Sequence, residues 1–136
     1  MRVLALDYGS ARIGCAVSDP SGTLVRPLPV IEPPEIREVA RVADDLGVER
    51  VVVGMPLNMN GTAGAQAETT LTFCDQLRAS LDLPVDTYDE RLTTRMAQAS
   101  LRSGAEAAED SLAAAHLLEA YLAASLGDAG GSDDDG

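Results

Sequence analysis

Three short apolar segments at the start of the chain are joined by turns too short to hold a helix. They span residues 2–8, 13–19 and 23–31, and no more than four residues separate each from the next. Strands joined in this way run antiparallel, because a parallel connection needs about a dozen residues or more. We therefore predict that the chain begins with an antiparallel meander. Pro27 and Pro29 put the third strand at an edge of the sheet, since proline cannot donate a hydrogen bond to a neighbouring strand.

Helices and single strands alternate in the rest of the chain. The apolar residues of 35–47 and 65–81 recur at helical spacing, and Gly47 ends the first helix. The stripe predicted to face the core in the second helix consists of Ala67, Leu71, Cys74, Leu77 and Leu81. The other predicted elements are strands at 50–54 and 83–88, a helix from Thr93 or Thr94 to about Ser103, and a last helix over 109–126. This order predicts an α/β fold in which helices cover a mixed sheet.

The length of 136 residues corresponds to one domain, which we place at 1–126. The last ten residues, GDAGGSDDDG, carry four acidic side chains and too little apolar surface to pack, so we expect 127–136 to be disordered. No run of 18 apolar residues is present, and Asp7 interrupts the first apolar segment before it reaches the length of a signal-peptide core. We therefore expect a cytoplasmic protein without a membrane partner.

The charged residues and cysteines exclude several classes of site. All ten basic residues are arginines, so neither a Walker P-loop lysine nor a Schiff-base lysine is present. The single histidine, His116, excludes a zinc site of the HExxH kind, and it lies about 240° around the last helix from Asp110. Cys15 and Cys74 do not have a zinc or redox spacing, so we expect free thiols. The net charge of −12 means that an anionic substrate must be held by a local arrangement of groups.

Three acidic residues occupy positions that favour a ligand site. Asp7 ends an apolar strand, and Glu90 follows the last predicted strand. Asp110 opens the last helix on the same stripe as its core residues. Carboxylates that converge repel each other unless a hard cation such as Mg²⁺ or Mn²⁺ lies between them, so the three acids together predict a metal site. Each acid also has a plain structural explanation, namely a turn, an ion pair with Arg91 or the dipole of a helix.

A glycine-rich loop and four arginines are candidates for phosphate binding. The segment GMPLNMNGTAG, residues 54–64, joins a strand to a helix and can aim backbone N–H groups at a phosphate. Loops between strands and helices are often glycine-rich, so this segment is weak evidence by itself. The candidate arginines are Arg12, Arg91, Arg95 and Arg102, although most surface arginines are only solvated charges.

Four segments in this order resemble the YqgF family, also called RuvX. They are LALDYGSARIGCAVSD at 4–19, VVVGMPLNMNGTAGAQAE at 51–68, DERLTT at 89–94 and EDSLAAAHLLEAYL at 109–122. The family is described as Holliday-junction resolvases and as nucleases of pre-16S rRNA processing. The resemblance implies an RNase H-like fold with a mixed five-stranded sheet, in which three antiparallel strands are followed by two parallel ones, and helices on both faces.

The resemblance also implies the catalytic residues. The family's three metal-binding acids fall on Asp7, Glu90 and Asp110, the acids already singled out, and Asp89 is a candidate fourth ligand. Asp7 would bridge two divalent cations, Mg²⁺ or Mn²⁺, and each of the other two acids would complete the coordination of one. No general base is then needed, which suits a chain with one histidine.

Substrate contacts are implied by a further family motif. The GxPxNxxG loop falls on Gly54, Pro56, Asn58 and Gly61. We expect Asn58 of this loop, together with Arg12 and Arg91, to bind the substrate. The chain departs from the family at Ala11 and in GAEAAED, residues 104–110, where basic residues are usual. The absence of these basic residues lowers the affinity that we expect for phosphate groups.

The first hypothesis is a metal-dependent nuclease acting in 5′-end processing of pre-16S rRNA, a step of ribosome biogenesis. The alternative substrate is branched DNA, since a Holliday-junction resolvase of recombination and repair has the same chemistry and would need two active sites, hence a homodimer. A third hypothesis is a non-catalytic RNA- or protein-binding factor of ribosome assembly, which the missing basic residues favour. A nucleotide-binding protein of the actin or sugar-kinase type is disfavoured, because such proteins need two domains of this kind.

Overall fold

The computed structural model describes residues 1–58, 60–93 and 109–132. Its elements follow the predicted order. They are β1 (Val3–Tyr8), β2 (Ile13–Ser18), β3 (Val25–Ile31), α1 (Ile36–Leu46), β4 (Arg50–Met55), α2 (Ala65–Ser80), β5 (Val85–Asp89), a short 3₁₀ helix (Glu90–Thr93) and α3 (Glu109–Ser132).

The five strands form one mixed sheet in the order β3-β2-β1-β4-β5. The pairs β1–β2 and β2–β3 are antiparallel, whereas β4 lies parallel to both β1 and β5. Because parallel neighbours need a crossover connection, α1 joins β3 to β4 and α2 joins β4 to β5. The predicted α/β architecture is confirmed, and so is the edge position of the strand that contains Pro27 and Pro29.

Helices cover both faces of the sheet, as predicted. Successive side chains of β1 point to opposite faces, so Leu4 and Leu6 belong to one core cluster and Val3 and Ala5 to the other. Apolar residues of α1 and α2 complete the first cluster. The second is completed by a stripe of α3, consisting of Ala114, Ala115, Leu117 and Leu118. Burial on both faces explains why β4 is an almost uninterrupted run of apolar residues.

On the first face, the end of α1 agrees with the prediction, whereas the buried stripe of α2 differs from it. α1 is closed by Gly47, whose φ of 66° is a left-handed conformation that glycine adopts without strain. The predicted core stripe of α2 is wrong at Leu71, which is 44% exposed. Thr70 and Phe73 are buried instead. The ring of Phe73 stacks on that of Tyr8 with centroids 4.1 Å apart, which turns this side of the helix toward the sheet.

The last helix is longer than predicted. The prediction ended it at Leu126, before Gly127, whereas α3 continues to Ser132. The helix therefore overlaps the first part of the segment 127–136. Residues 133–136 lie outside the described residues, and disorder of this tail stays a prediction.

Two further predictions concern the region between β5 and α3 and the relation to membranes. The predicted helix ending near Ser103 lies outside the described residues except for Thr93, which ends the 3₁₀ helix. In the part of the chain that the structure describes, no helix has the length and apolar character needed to cross a membrane.

Candidate active site

Asp7 lies at the carboxyl end of the central strand, between two glycines. Gly14 of β2 is its partner in the antiparallel pair. On the other side Leu6 pairs with Val53, so Gly54 of β4 follows beside Asp7. Alternation along each strand directs all three positions to the face that α3 covers. Two missing side chains therefore leave room on both sides of the Asp7 carboxyl group.

Glu90 occupies the space next to Gly54. It begins the 3₁₀ helix that follows β5. A Cβ atom added at Gly54 would lie 2.7 Å from Glu90 Oε2 and 2.9 Å from Glu90 Cγ. Glycine at this position is therefore a condition for Glu90 to lie where it does.

Asp110 approaches from α3 on the other side of Asp7. It is the second residue of the helix, and its backbone lies against β2. A Cβ atom added at Gly14 would lie 2.1 Å from the Asp110 backbone oxygen. Since that obstacle is backbone, no side-chain rotation could relieve the clash. Gly14 thus permits the close contact that brings Asp110 to the edge of the sheet where Asp7 and Glu90 lie.

The three carboxyl groups perturb one another. The pKa of Asp7 is raised from 3.8 to about 7, first by burial and then by the negative charge of Glu90, a hydrogen bond with Glu90 and the negative charge of Asp110. A carboxyl group perturbed in this way is a feature of functional sites, although structural networks also produce it. A divalent cation among these groups would stabilise their ionised forms.

Arg12 contacts the site from the turn between β1 and β2. Its Nη1 donates a hydrogen bond to Asp110 Oδ2 at 3.1 Å, and its Nε lies 3.7 Å from Glu32 Oε1. The Arg12 side chain is 45% exposed, so the ion pair is screened by water and exchanges at small cost. The arginine predicted to bind substrate is therefore at the site and bonded to one of the predicted metal-binding acids.

Asn58 and Arg91, the other predicted substrate contacts, lie next to each other. Arg91 Nη1 donates a hydrogen bond to the Asn58 carbonyl oxygen at 3.4 Å. The loop around Asn58 closes on itself, because its N–H donates to the Thr62 carbonyl at 2.9 Å and its carbonyl accepts from Gly61 at 2.8 Å. Gly61 has a φ of 88°, which favours glycine. Met59 lies outside the described residues.

Asp89, the candidate fourth ligand, is bound by Arg91. The guanidinium donates from Nε to both carboxylate oxygens at 3.0 Å and from Nη2 to Oδ2 at 2.6 Å. These side-chain hydrogen bonds from Arg91 lower the pKa of Asp89. In this arrangement Asp89 orients an arginine rather than a metal ion.

The acids are not already arranged as a metal-binding cluster. Within residues 1–58, 60–93 and 109–132, no three His, Cys, Asp or Glu side chains are grouped so that they could hold a metal ion. The chemistry of the donors nevertheless suits Mg²⁺ or Mn²⁺, since Asp7, Glu90 and Asp110 offer only oxygen atoms and are close enough to raise the pKa of Asp7. The ion pair with Arg12 explains part of this lack of a metal-binding arrangement, because the Arg12 guanidinium is bonded to the Asp110 carboxylate that a cation would need.

Arg95 and Arg102, the other candidate arginines, lie outside the described residues. Cys15 and Cys74 are buried free thiols, as predicted, and burial raises the pKa of the Cys15 thiol to about 12. His116 is buried on α3, and we assign it no role in catalysis.

Sequence reasoning missed what the two glycines beside Asp7 do. A glycine inside a strand weakens pairing and often marks a close approach of another backbone or side chain, so Gly14 and Gly54 carried a usable signal. It also missed Ser111, which is fully buried behind Asp110. Serine near the start of a helix is common, and nothing in the sequence distinguishes this one.

Comparison with known proteins places the chain among nucleases. A family model described as RuvX, Holliday junction resolvase, matches residues 1–124. A relative from Desulforamulus reducens, named "Putative pre-16S rRNA nuclease", is 40% identical over 132 residues, which cover 90% of this chain and 96% of the relative. A relative of the same name from Chloroflexus aurantiacus is 43% identical over 130 residues, covering 88% of this chain and 85% of the relative.

Solved structures of two resolvases have the same fold. Thermus thermophilus RuvC in complex with a Holliday junction substrate matches with a TM-score of 0.63 and 19% identity, covering 93% of this chain and 96% of RuvC. The fowlpox virus resolvase in complex with Holliday junction DNA matches with a TM-score of 0.58 and 10% identity, covering 93% of this chain and 99% of the resolvase. The predicted RNase H-like fold is confirmed.

Proposed function

Because the chain belongs to the RuvX family, we propose that it is a nuclease that uses divalent cations to hydrolyse phosphodiester bonds. The favoured substrate is precursor 16S rRNA at its 5′ end, since the relatives from D. reducens and C. aurantiacus are named for this RNA. One observation supports the proposal above the others. Asp7 lies between two glycines of neighbouring strands, with Glu90 and Asp110 against it and a pKa of about 7.

The three acids would hold two Mg²⁺ or Mn²⁺ ions. Ions of this kind activate water for attack on phosphorus and stabilise the leaving oxygen. Asp7 is the central ligand in this proposal, because its two neighbours approach it from opposite sides. A cation bound by Asp110 would replace the hydrogen bond that Asp110 accepts from Arg12. The Arg12 guanidinium would then be available for a phosphate of the substrate.

Arg12, Asn58 and Arg91 would bind the nucleic acid around the acids. Arg91 is held in one orientation by Asp89 and contacts the loop that contains Asn58, so loop and arginine present one surface. With a net charge of −12, the chain would bind an anionic substrate through these few groups rather than through a broad basic face. Processing of precursor rRNA would place the protein in the cytoplasm.

Two other functions remain as outcomes of the test. The family description supports a Holliday-junction resolvase, which would act as a homodimer with two active sites. Ala11, in place of the usual basic residue, supports a non-catalytic factor of ribosome assembly.

The decisive experiment is cleavage of two labelled substrates, a 5′ fragment of precursor rRNA and a four-way DNA junction. Each is incubated with Mn²⁺, with Mg²⁺ and with EDTA. We expect metal-dependent cleavage of the rRNA fragment, reduced by about 1000-fold or more in Asp7→Asn, since a metal ion contributes several kcal/mol to such a reaction. The matched control is Asp86→Asn, which removes a carboxylate near the amino-terminal end of β5 and should cleave normally.

Each outcome selects one function. Cleavage of the junction alone would establish the resolvase. Binding of the rRNA fragment without cleavage in any metal would establish the assembly factor. Equal turnover of Asp7→Asn and the unmodified chain would contradict the proposed mechanism.

A further inference from the structure

Ser111, the residue after Asp110, joins α3 to the sheet through its side chain. It is fully buried. Its Oγ donates a hydrogen bond to the Leu28 carbonyl oxygen of β3 at 2.5 Å and accepts one from the Cys15 N–H of β2 at 3.2 Å. One hydroxyl group thus links a helix to two strands, in a place that water does not reach.

The link lies where the pairing of β2 and β3 is irregular. Ile13 pairs with Ile31, but Cys15 pairs with Leu28, so β3 has one more residue than β2 across this stretch. A bulge of this kind disturbs the ladder of hydrogen bonds and re-aims what lies beside it. The Ser111 hydroxyl bonds to polar groups of both strands at this irregularity, and this explains why a polar side chain is tolerated in the core.

The same stretch of β2 is in contact with the Asp110 backbone. Gly14 lies between the two paired residues of the bulge region, and a Cβ there would be 2.1 Å from the Asp110 carbonyl oxygen. In the described part of the chain, the Asp110 side chain forms an ion pair with Arg12, and both side chains of that pair are partly exposed. Of these polar contacts between the first turn of α3 and the rest of the chain, those of Ser111 are buried and that of Asp110 is partly exposed.

We propose that Ser111 is a positioning residue, which holds the first turn of α3, and Asp110 with it, beside the Asp7 end of the sheet where the metal ions would bind. This inference rests on the proposed metal-dependent function, because it gives Ser111 the role of positioning Asp110, one of the proposed metal ligands of that site. Residues that orient metal ligands typically contribute about 10-fold to 100-fold in metal affinity. Ser111 would act only through Asp110 and would not touch the substrate.

Ser18 provides a matched control for a purely structural role. It is a buried serine of β2, and its Oγ accepts a hydrogen bond from the Val3 N–H at 2.8 Å. It ends β2, at the end of this strand away from Asp110. Ser18→Ala and Ser111→Ala therefore remove the same chemical group from equally buried positions, and only one of them lies next to the candidate site.

The experiment compares the full chain, Ser111→Ala and Ser18→Ala. Urea unfolding measures stability, calorimetric titration with Mn²⁺ measures metal affinity, and amide hydrogen exchange of the metal-free proteins measures local opening. We expect both variants to unfold at lower urea concentrations. Ser111→Ala alone should bind Mn²⁺ about 10-fold to 100-fold more weakly and exchange the Cys15 amide, which donates to Ser111, faster. Ser111→Cys, which keeps the size and weakens the hydrogen bonds, should give an intermediate loss and serves if the alanine variant does not fold.

The readouts separate failure of this inference from failure of the proposed function. Mn²⁺ affinity that is unchanged in Ser111→Ala, or reduced equally in Ser18→Ala, would overturn the positioning role. If the unmodified chain binds no Mn²⁺, the proposed function fails and the role assigned to Ser111 in metal binding fails with it. Hydrogen exchange of the Cys15 amide would then still report whether Ser111 holds the first turn of α3 against β2.

Discussion

Aspartates at the two ends of the sheet have opposite kinds of neighbours. Near the amino-terminal end of the parallel strands, Asp86 accepts hydrogen bonds from Arg50 Nη1 and from the Tyr121 hydroxyl, both at 2.7 Å. Burial, together with the bond to Asp86, raises the pKa of Tyr121 to about 12, so the hydroxyl stays a donor. At the carboxyl end, Asp7 is placed between two other carboxyl groups. At the first end, the charge of Asp86 is paired with Arg50. At the other end, three acidic side chains lie close together.

This difference distinguishes a structural network from a candidate site. A charge that is already paired inside the protein needs no ligand, and its neighbours stabilise the fold. Carboxyl groups that raise one another's pKa make the fold less stable near neutral pH, and a cation from solution would remove that cost. The comparison therefore predicts that substitutions at the Asp86 end change mainly stability, whereas substitutions at the Asp7 end change mainly function and the pH dependence of stability.

The largest effect should be on the pH dependence of stability. Folded Asp7 holds its proton up to about pH 7, whereas its ordinary pKa is 3.8. The folded state binds more protons between these values, so the stabilising contribution is complete below the lower pKa and is lost as pH rises through the higher one. From pH 5 to pH 8 in EDTA, we expect the unmodified chain to lose about 2 to 3 kcal/mol through this group. Urea unfolding at both pH values should show that Asp7→Asn loses much less.

Two controls make this prediction sharp. Asp86→Asn should keep the pH dependence of the unmodified chain, because it leaves the carboxyl end unchanged. Addition of Mn²⁺ at pH 8 should stabilise the unmodified chain and not Asp7→Asn. The same loss of stability in all three proteins would show that Asp7 is not the group responsible.

The fold was predictable because its evidence is local. The short turns of residues 2–31 require antiparallel strands, and the apolar run at 51–54 indicates burial on both faces. Leu71 shows the limit of such reasoning. Helical spacing permits more than one stripe on α2, and the stacking of Phe73 on Tyr8, from a strand far away in sequence, selects the one that is buried.

The candidate site was predictable in its acids and not in what brings them together. Asp7 is conspicuous because a charge ends an apolar strand. The register that puts Gly14 beside it, and the contact between Gly14 and the Asp110 backbone, join parts of the chain that are distant in sequence. The bond between Arg12 and Asp110 spans 98 positions and depends on the same packing. Single-sequence patterns do not contain these relations.

A smaller effect on stability is expected when the ion pair between Asp86 and Arg50 is removed. Asp86→Asn leaves Arg50 without its ion pair and weakens the bond from Tyr121. Because the side chains of Arg50 and Asp86 are 30% and 40% exposed, the expected loss of stability is only about 1 kcal/mol. Cleavage and Mn²⁺ affinity should not change. A large fall in cleavage with intact stability would mean that the two ends are not independent.

The smallest change in stability should come from Gly54→Ala, which sharpens the comparison because it acts on the site alone. The new Cβ would lie 2.7 Å from Glu90 Oε2 and 2.9 Å from Glu90 Cγ, so the whole Glu90 side chain would have to rotate away, and no backbone would have to move. Unfolding in urea should therefore change by less than about 1 kcal/mol, while displacement of Glu90 should reduce cleavage and Mn²⁺ affinity about 10-fold or more. The control is Gly22→Ala, where a φ of 77° makes alanine strained at a position away from the acids. It should lower stability and leave cleavage unchanged, and the reverse pattern for the two glycines would show that Glu90 does not need the space that Gly54 leaves.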